Sequence, residues 1–535
     1  MIEGYCTTST MGRKTISSSI SMQRGVPWSA APGDLVSFHM SADTAYTVTY
    51  LRLRSKADVF DGVAMGPSFS QSAHIQKMPP EPWLGCSWQV DFDLWIPASW
   101  QSGFYAAHCR GTNGEDYYVV FIVKPFSGLA ALPQPGRRSR FAVLACTNTW
   151  NAYNTWGGRD FYTDPVAREL GFERPSPQTR PAPPYFEVDD PQGRLSVDAY
   201  TRSQTRAELW LLTWLEDAGY LFDVFTDADF HVGTFDPADY AGLILNAHPE
   251  YWTLAMRDRL DAYLKTGGRL VYLGGNGLYE RVEYEPDLSV MVGRRGGATQ
   301  TERWLFRNQG RPELDVLGVA YNNDSWFQPV TGYRTRQSDH RFLHGTGLVH
   351  DAPFGDTGLT GTRATAENGK ACGWEMDDQR DGHPLGSVVL AESTGFPAGA
   401  STMTCWDRNG GFVYSVGSLI YGGSLVLDPI LQKILRNVLD ECLRASLPLL
   451  AVVESTFFHW LREGILGVGP VGPIPIPPHG AERDVWIGLL AVELANELSS
   501  QSARSKLREV GIDLVVQVAQ KQPKLRPQTA AVVMP

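Results

Sequence analysis

Between residues 141 and 273 the chain alternates strand-like and helix-like runs, and this alternation restricts the fold more than any other feature of the sequence. Phe141-Ala142-Val143-Leu144-Ala145-Cys146 is an unbroken apolar run, the pattern of a strand buried on both faces. From Gln204 to Ala218, the residues Trp210, Leu211, Trp214, Leu215 and Ala218 fall on one helical stripe that Gly219 ends. Strands follow at Phe222 to Thr226 and Tyr240 to Asn246, then a helix from Thr253 to Lys265 with Thr253 as cap and Gly267-Gly268 as stop, then a strand from Arg269 to Leu273. Such alternation predicts a doubly wound α/β domain with a parallel sheet, whose ligands sit beyond the carboxyl ends of the strands. Candidate site positions are therefore Thr147 to Tyr153, Asn246 to Tyr251 and Gly274 to Tyr279.

Residues before this domain carry no helical period. Short alternating runs such as Val36 to Met40, Tyr46 to Leu53, Trp88 to Ile96, Gly103 to His108 and Tyr117 to Val123 are separated by Gly, Pro and Asn turns, which predicts a β-sandwich over residues 1–127. Pro, Gly and Ser then dominate a linker over 128–140, and the α/β domain extends over 141–447. Residues 448–535 read as a helical tail. It holds a stiff Gly/Pro segment from Gly467 to Pro478 and an apolar stripe of Trp486, Leu489, Leu490, Leu494 and Leu498, expected to dock on a neighbouring subunit.

Charge and cysteine usage narrow the function. Lys+Arg 47 against Asp+Glu 58 leaves a net charge of −11, which repels a polyphosphate backbone, so nucleic acid is not an expected partner. The seven cysteines include no C-x-x-C pair, so neither a disulfide framework nor a zinc knuckle is expected. No apolar run is long enough for a membrane helix and the first residues show no secretory pattern, which predicts a cytoplasmic protein away from membranes.

Several clusters carry candidate chemistry. Asn246-Ala247-His248-Pro249-Glu250-Tyr251-Trp252 follows a buried strand and presents an imidazole and a carboxylate two residues apart across a proline. Amides and aromatics crowd Asn148 to Tyr162, where tyrosine phenolates would be hard oxygen ligands suited to ferric iron. Gly274-Gly275-Asn276-Gly277 permits close approach to the backbone, whereas Gly373 to Asp378 reads most simply as a solvated acidic turn. His340 and His344 have helical spacing but are followed at once by glycines and lack a neighbouring Glu, so zinc is not expected there.

Taken in order, Thr149-Trp150-Asn151-Ala152-Tyr153-Asn154, Gly157-Gly158-Arg159-Asp160-Phe161-Tyr162, His248-Pro249-Glu250-Tyr251-Trp252, Gly274-Gly275-Asn276-Gly277 and Gly373-Trp374-Glu375-Met376-Asp377 resemble the catalytic region of the N,N-dimethylformamidase large subunit and its relatives, best over residues 135 to 445. The resemblance implies a glutamine-amidotransferase-like α/β domain and an iron-dependent hydrolase of small N-substituted amides. It implies a mononuclear iron, ferric in character, held by two tyrosines and a glutamate. On this sequence Glu250 falls on the ligand carboxylate, and Tyr153 and Tyr162 on the tyrosines, with Tyr200 or Tyr251 as replacements for Tyr153. His248, Asn276 and Glu375 fall on the catalytic histidine, amide and carboxylate. The resemblance also implies a small helical partner subunit, beside the homo-oligomer that the apolar stripe of the tail predicts. Between residues 60 and 140, however, there is no room for the additional lectin-like β-sandwich of the family. Two other readings stand beside it: a noncatalytic ligand-binding or scaffold protein on the same fold, and a cysteine amidotransferase, which would need Cys146 as nucleophile.

Overall fold

Runs of β-branched and aromatic residues broken by tight turns leave the front of the chain no helical face to bury, and it forms strands. A computed structural model describes residues 1–12, 21–56, 59–125, 140–162, 168–181, 204–295, 302–322, 325, 330–360, 369–393 and 400–444. One four-stranded antiparallel sheet runs in the order Phe92–Trp95, Leu35–Ala42, Ile2–Gly12, Ser21–Arg24. A six-stranded sheet is built on the hairpin Gly103–Gly111 and Asp116–Val123, with Tyr46–Arg52 beside it. Phe38 of the first sheet meets Phe121 and Tyr50 of the second at ring-centroid distances of 5.8 and 5.9 Å.

The apolar run after the linker becomes β1 (Arg140–Ala145), and the following segments form β2 (Leu221–Thr226), β3 (Gly242–Ala247) and β4 (Arg269–Gly274). With β5 (Tyr333–Thr335), β6 (Pro353–Phe354), β7 (Val388–Ser393), β8 (Thr402–Arg408) and β9 (Gly411–Ser415) they make a nine-stranded sheet in the order β2-β1-β3-β4-β9-β8-β7-β5-β6. The first five in that order are parallel and the rest join antiparallel. The sequence pattern predicts only the parallel half. The other half departs because β8 and β9 are joined by a tight turn at Asn409 and Gly410, with φ of 50° and 85°, and such a turn can only connect antiparallel strands.

Helices α1 (Thr147–Ala152), α2 (Gln204–Asp217), α3 (Asp227–Val232) and α4 (Leu254–Lys265) connect the parallel strands. Thr253 caps α4 by accepting a hydrogen bond from the Met256 amide at 3.2 Å. On the sheet, Leu243 and Leu245 share a buried cluster with Met256, Leu260 and Leu264 of α4. Asn246, one residue out of phase, donates from Nδ2 to the Glu208 carbonyl of α2 at 3.3 Å, so the two helices cover opposite faces. Residues 429–444 close the segment as a helix. The linker from 128 to 139 and the tail from 445 onward, with its Trp486 to Leu498 stripe, lie outside the described residues. Among the described residues no helix is long and apolar enough to cross a membrane. All seven cysteines are buried and unbridged.

Residues Met1–Ser127 and Arg140–Cys442 form one compact unit. Its seam contains a buried ion pair: Lys124 Nζ lies 2.8 Å from Asp229 Oδ1, and Ser29 donates to the other Asp229 oxygen at 2.5 Å. Burial would raise the Asp229 carboxyl, but Lys124 outweighs it and holds the group below its ordinary value. Replacing Lys124 by Met strands a buried carboxylate. We expect Lys124→Met to lower unfolding free energy in urea by about 3 kcal/mol or more, without loss of the α/β circular-dichroism signature.

Candidate active site

From β1 the chain lays β2 on one side and then crosses to lay β3 on the other, so the strand order reverses between β1 and β3. A crevice opens at the carboxyl ends of such a pair because the connecting segments leave in opposite directions. Thr147 to Tyr162 enters it behind β1, His248-Pro249-Glu250 behind β3 and Gly275-Asn276 behind β4. Glu375 joins them because Gly275 lets its peptide in: a Cβ on Gly275 would run into the Glu375 carbonyl. Four non-glycine residues around this point, Ala247, Asn276, Leu278 and Trp374, hold left-handed φ values of 55°, 52°, 58° and 66°. Packing maintains that backbone strain at the place where side chains must be aimed.

Two hydroxyls converge on one carboxylate oxygen. Tyr153 and Tyr162 donate to Glu250 Oε2 at 2.9 and 3.0 Å, and their rings stack with centroids 4.2 Å apart. His248 Nε2 stands 3.1 Å from the same oxygen and 3.6 Å from Glu375 Oε2. The imidazole Nδ1 is 3.1 Å from the Gly275 carbonyl, an acceptor only, which fixes a proton on that nitrogen. Asn276 donates from Nδ2 to Glu375 Oε2 at 2.7 Å, while its Oδ1 is buried without a partner. Its backbone amide donates to Asp377 Oδ1 at 2.8 Å, and Asp377 Oδ2 accepts from Tyr272 at 2.7 Å.

His248, Glu250, Asn276 and Glu375 are each at most 2% exposed, so their charges are set by one another. Burial works against a charged Glu250, but the His248 hydrogen bond and the Arg295 guanidinium outweigh it and hold the carboxyl low. Burial, with the Glu250 charge adding to it, raises Glu375. His248 is driven up to about 9, because Glu375 and Glu250 overcome the burial that disfavours its cation. Burial, reinforced by Glu250, pushes the Tyr153 phenol far above its ordinary value. It does the same to Tyr162, where Arg295 opposes it.

The donor set has a defined chemical character. Among the described residues no trio of His, Cys, Asp or Glu is arranged as a metal site; the convergent donors are two phenols and one carboxylate. Removing both phenol protons would leave three anionic oxygens facing one another in a buried space, a state that only a cation reconciles. All-oxygen anionic ligands of this kind suit a hard, highly charged ion such as ferric iron, so the residues present fit the metal that the sequence resemblance implies.

The structure thus brings together Tyr153, Tyr162, His248, Glu250, Asn276 and Glu375. Tyr251 meets the Tyr162 hydroxyl at 2.6 Å, one step further from Glu250, and Tyr200 lies outside the described residues. The segment Gly373 to Asp377 is not a solvated turn, since Glu375 and Asp377 are 2% and 0% exposed. Approach of Gly275 and the Tyr272 hydrogen bond draw it inward. Cys146 is buried, bonds through Sγ to the Asn246 carbonyl at 3.0 Å, and is pushed well up by burial, which disfavours a thiolate nucleophile.

Some site residues carry no local sequence signal. Arg174 is fully buried and ties down the segment bearing Tyr153, donating to the carbonyls of Asn151, Asn154 and Trp156 at 3.1, 2.9 and 2.6 Å. Arg295 reaches Glu250 Oε1 at 3.2 Å. Asp377 carries a weak signal, standing two residues beyond Glu375 in the same motif.

Titratable groups with mutually perturbed affinities, gathered at the switch point of an α/β sheet, make this crevice the candidate ligand-handling site of the described residues. The chain belongs to the family described as N,N-dimethylformamidase beta subunit-like, C-terminal, whose model matches residues 54–434. It is 25% identical over 438 residues to the N,N-dimethylformamidase beta subunits of an Alcaligenes species and of Paracoccus aminophilus, a match covering 67% of this chain and 55% of each relative. It therefore spans about half the length of the curated relatives it matches. Among solved structures, the mmIFT52 N-terminal domain aligns at 14% identity over 43% of this chain and 88% of that one, with a TM-score of 0.22. That likeness carries no argument.

Asp377 supports the Gly275-Asn276 loop from beneath. Asp377→Ala leaves the Tyr272 hydroxyl and the Asn276 amide without an acceptor, and we expect a loss of about 2–3 kcal/mol in urea unfolding. Asp377→Asn keeps one acceptor oxygen and should lose less.

Proposed function

We propose that this chain hydrolyses the C–N bond of small N-substituted amides, N,N-dimethylformamide or close analogues, with one ferric iron held by Tyr153, Tyr162 and Glu250. The convergence of two phenols on Glu250 Oε2, inside the region matched to the family, carries this reading. An amide is a poor electrophile with a poor leaving group; iron bound there would supply the Lewis acidity that polarises its carbonyl and acidifies water.

The chain's own groups supply the proton handling. Glu375 takes a proton from the attacking water and returns it to nitrogen as the C–N bond breaks, giving a carboxylic acid and an amine. Its burial suits this work, because a raised proton affinity lets the carboxylate accept a proton near neutral pH and hold it until nitrogen takes it. Asn276 gives an Nδ2 hydrogen to Glu375, and its Oδ1 is buried without a protein partner, so that oxygen can accept from water or from the departing amine. An acceptor there orients a hydrogen-bond donor. His248, anchored through Nδ1, keeps Nε2 between the two carboxylates and fixes their orientation.

The wider reading is a β-sandwich over 1–127, a linker over 128–140, a doubly wound amidotransferase-like catalytic domain over 141–447 and a helical assembly tail over 448–535. It makes the protein a cytoplasmic homo-oligomer able to take a small helical subunit.

Metal analysis and a visible spectrum test the proposal directly. We expect about one iron per chain and a phenolate-to-iron absorption band. Glu250→Ala should lose the iron, whereas Glu375→Ala should retain it and lose dimethylamine release from dimethylformamide by about 100-fold or more. Colourless, iron-free protein with full amidase activity overturns the metal; iron-loaded protein inactive on every small N-substituted amide overturns the substrate class. Glu375 must be ionised to act as base, so kcat should fall as pH drops below neutral, and a kcat that rises toward acid would exclude that role.

A further inference from the structure

The two oxygens of Glu250 have unequal company. Oε2 faces Tyr153, Tyr162 and His248, whereas Oε1 is met by Arg295 Nη1 at 3.2 Å. The same nitrogen lies 2.6 Å from Glu280 Oε1, and the Arg295 guanidinium sits 4.0 Å over the centre of the Tyr162 ring. Glu280 is itself 2% exposed, is also paired with Arg303, and its backbone amide donates to the Glu250 carbonyl at 3.0 Å. Arg295 is therefore clamped between a buried anion, a tyrosine face and the far oxygen of the candidate ligand carboxylate. A guanidinium so held is less free to turn than a lysine would be.

We propose that Arg295 is the positioning residue of the metal centre, occupying Glu250 Oε1 so that the carboxylate offers Oε2 alone to the ion, and holding the Tyr162 ring by its cationic face. This rests on the iron reading of the site. Freed of Arg295, Glu250 can swing or chelate through both oxygens, and Tyr162 loses the positive charge that stabilises its ring electrons.

The test uses the full chain stripped of metal and titrated with ferric nitrilotriacetate, comparing wild type with Arg295→Gln and Arg295→Lys. Arg295→Gln should weaken ferric affinity by about tenfold or more, the range typical of groups that orient a metal ligand. Its phenolate-to-iron band should move to longer wavelength, because the Tyr162 donor electrons rise in energy. Arg295→Lys should fall between, keeping a charge but not the flat ring contact, and it decides the matter if the Gln variant does not fold. Variants with wild-type affinity and an unshifted band overturn the role of Arg295 and leave the iron reading intact. Wild-type protein that takes up no iron and shows no band overturns both. A lower thermal midpoint with unchanged affinity and band marks Arg295 as a merely structural ion-pair partner and also overturns the proposal.

Discussion

A carboxylate with no exposed surface stays charged only if several donors reach it, and Glu250 imposes that demand on the whole crevice. The donors come from separate stretches of chain: Tyr153 and Tyr162 behind β1, His248 beside Glu250 itself, and Arg295 two residues beyond the strand Val290–Gly293. Each brings its own support. Arg174 pins the Tyr153 segment through backbone carbonyls, Gly275 anchors His248, and Glu280 anchors Arg295. The mixed sheet brings the Tyr153, Tyr162 and His248 segments together because they leave its strands at one end, and Arg295 arrives from the separate four-stranded sheet that holds Val290–Gly293.

Protons in the crevice belong to a set of groups and not to single residues. His248 stands within 3.1 Å of one carboxylate and 3.6 Å of another, both buried. The same imidazole lowers Glu250 and is itself raised by both acids, so a change at any one shifts the others. This coupling sets two glutamates in one small space apart. Glu250, bonded to hydroxyls and a guanidinium, is held low, while Glu375, bonded to a neutral amide, is raised.

Much of this was legible from residue patterns. The continuous apolar run of β1, the Thr253 cap and the double glycine after α4 are local signals, and the structure follows them closely. His248, Glu250 and Asn276 could be placed because a parallel sheet makes its strand ends special. Arg295 and Arg174 could not: each acts on a backbone or carboxylate brought near only by tertiary packing, and neither lies in a motif. The acidic segment around Glu375 misled for a related reason. Its charges look solvent-seeking until Asn276 and Tyr272, about a hundred positions earlier, supply the donors that make burial tolerable. A strand at Ser387 to Glu392 was readable from its apolar run, but its antiparallel pairing was not, because nothing local in Val388–Ser393 or Thr402–Arg408 says which neighbour they meet.

The buried pair of Lys124 with Asp229 and Ser29 bears on how the two ends of the described unit hold each other. Lys124 and Ser29 belong to the front of the chain and Asp229 to the helix after β2. Ser102 bonds the Val224 amide at 2.7 Å, and Trp28 and Phe104 pack on Trp150 at 5.9 and 5.6 Å, along the same seam. Matching pieces of one electrostatic lock thus sit on either side of the seam, and the front of the chain buttresses the α/β sheet through a buried charge that only its own partner neutralises.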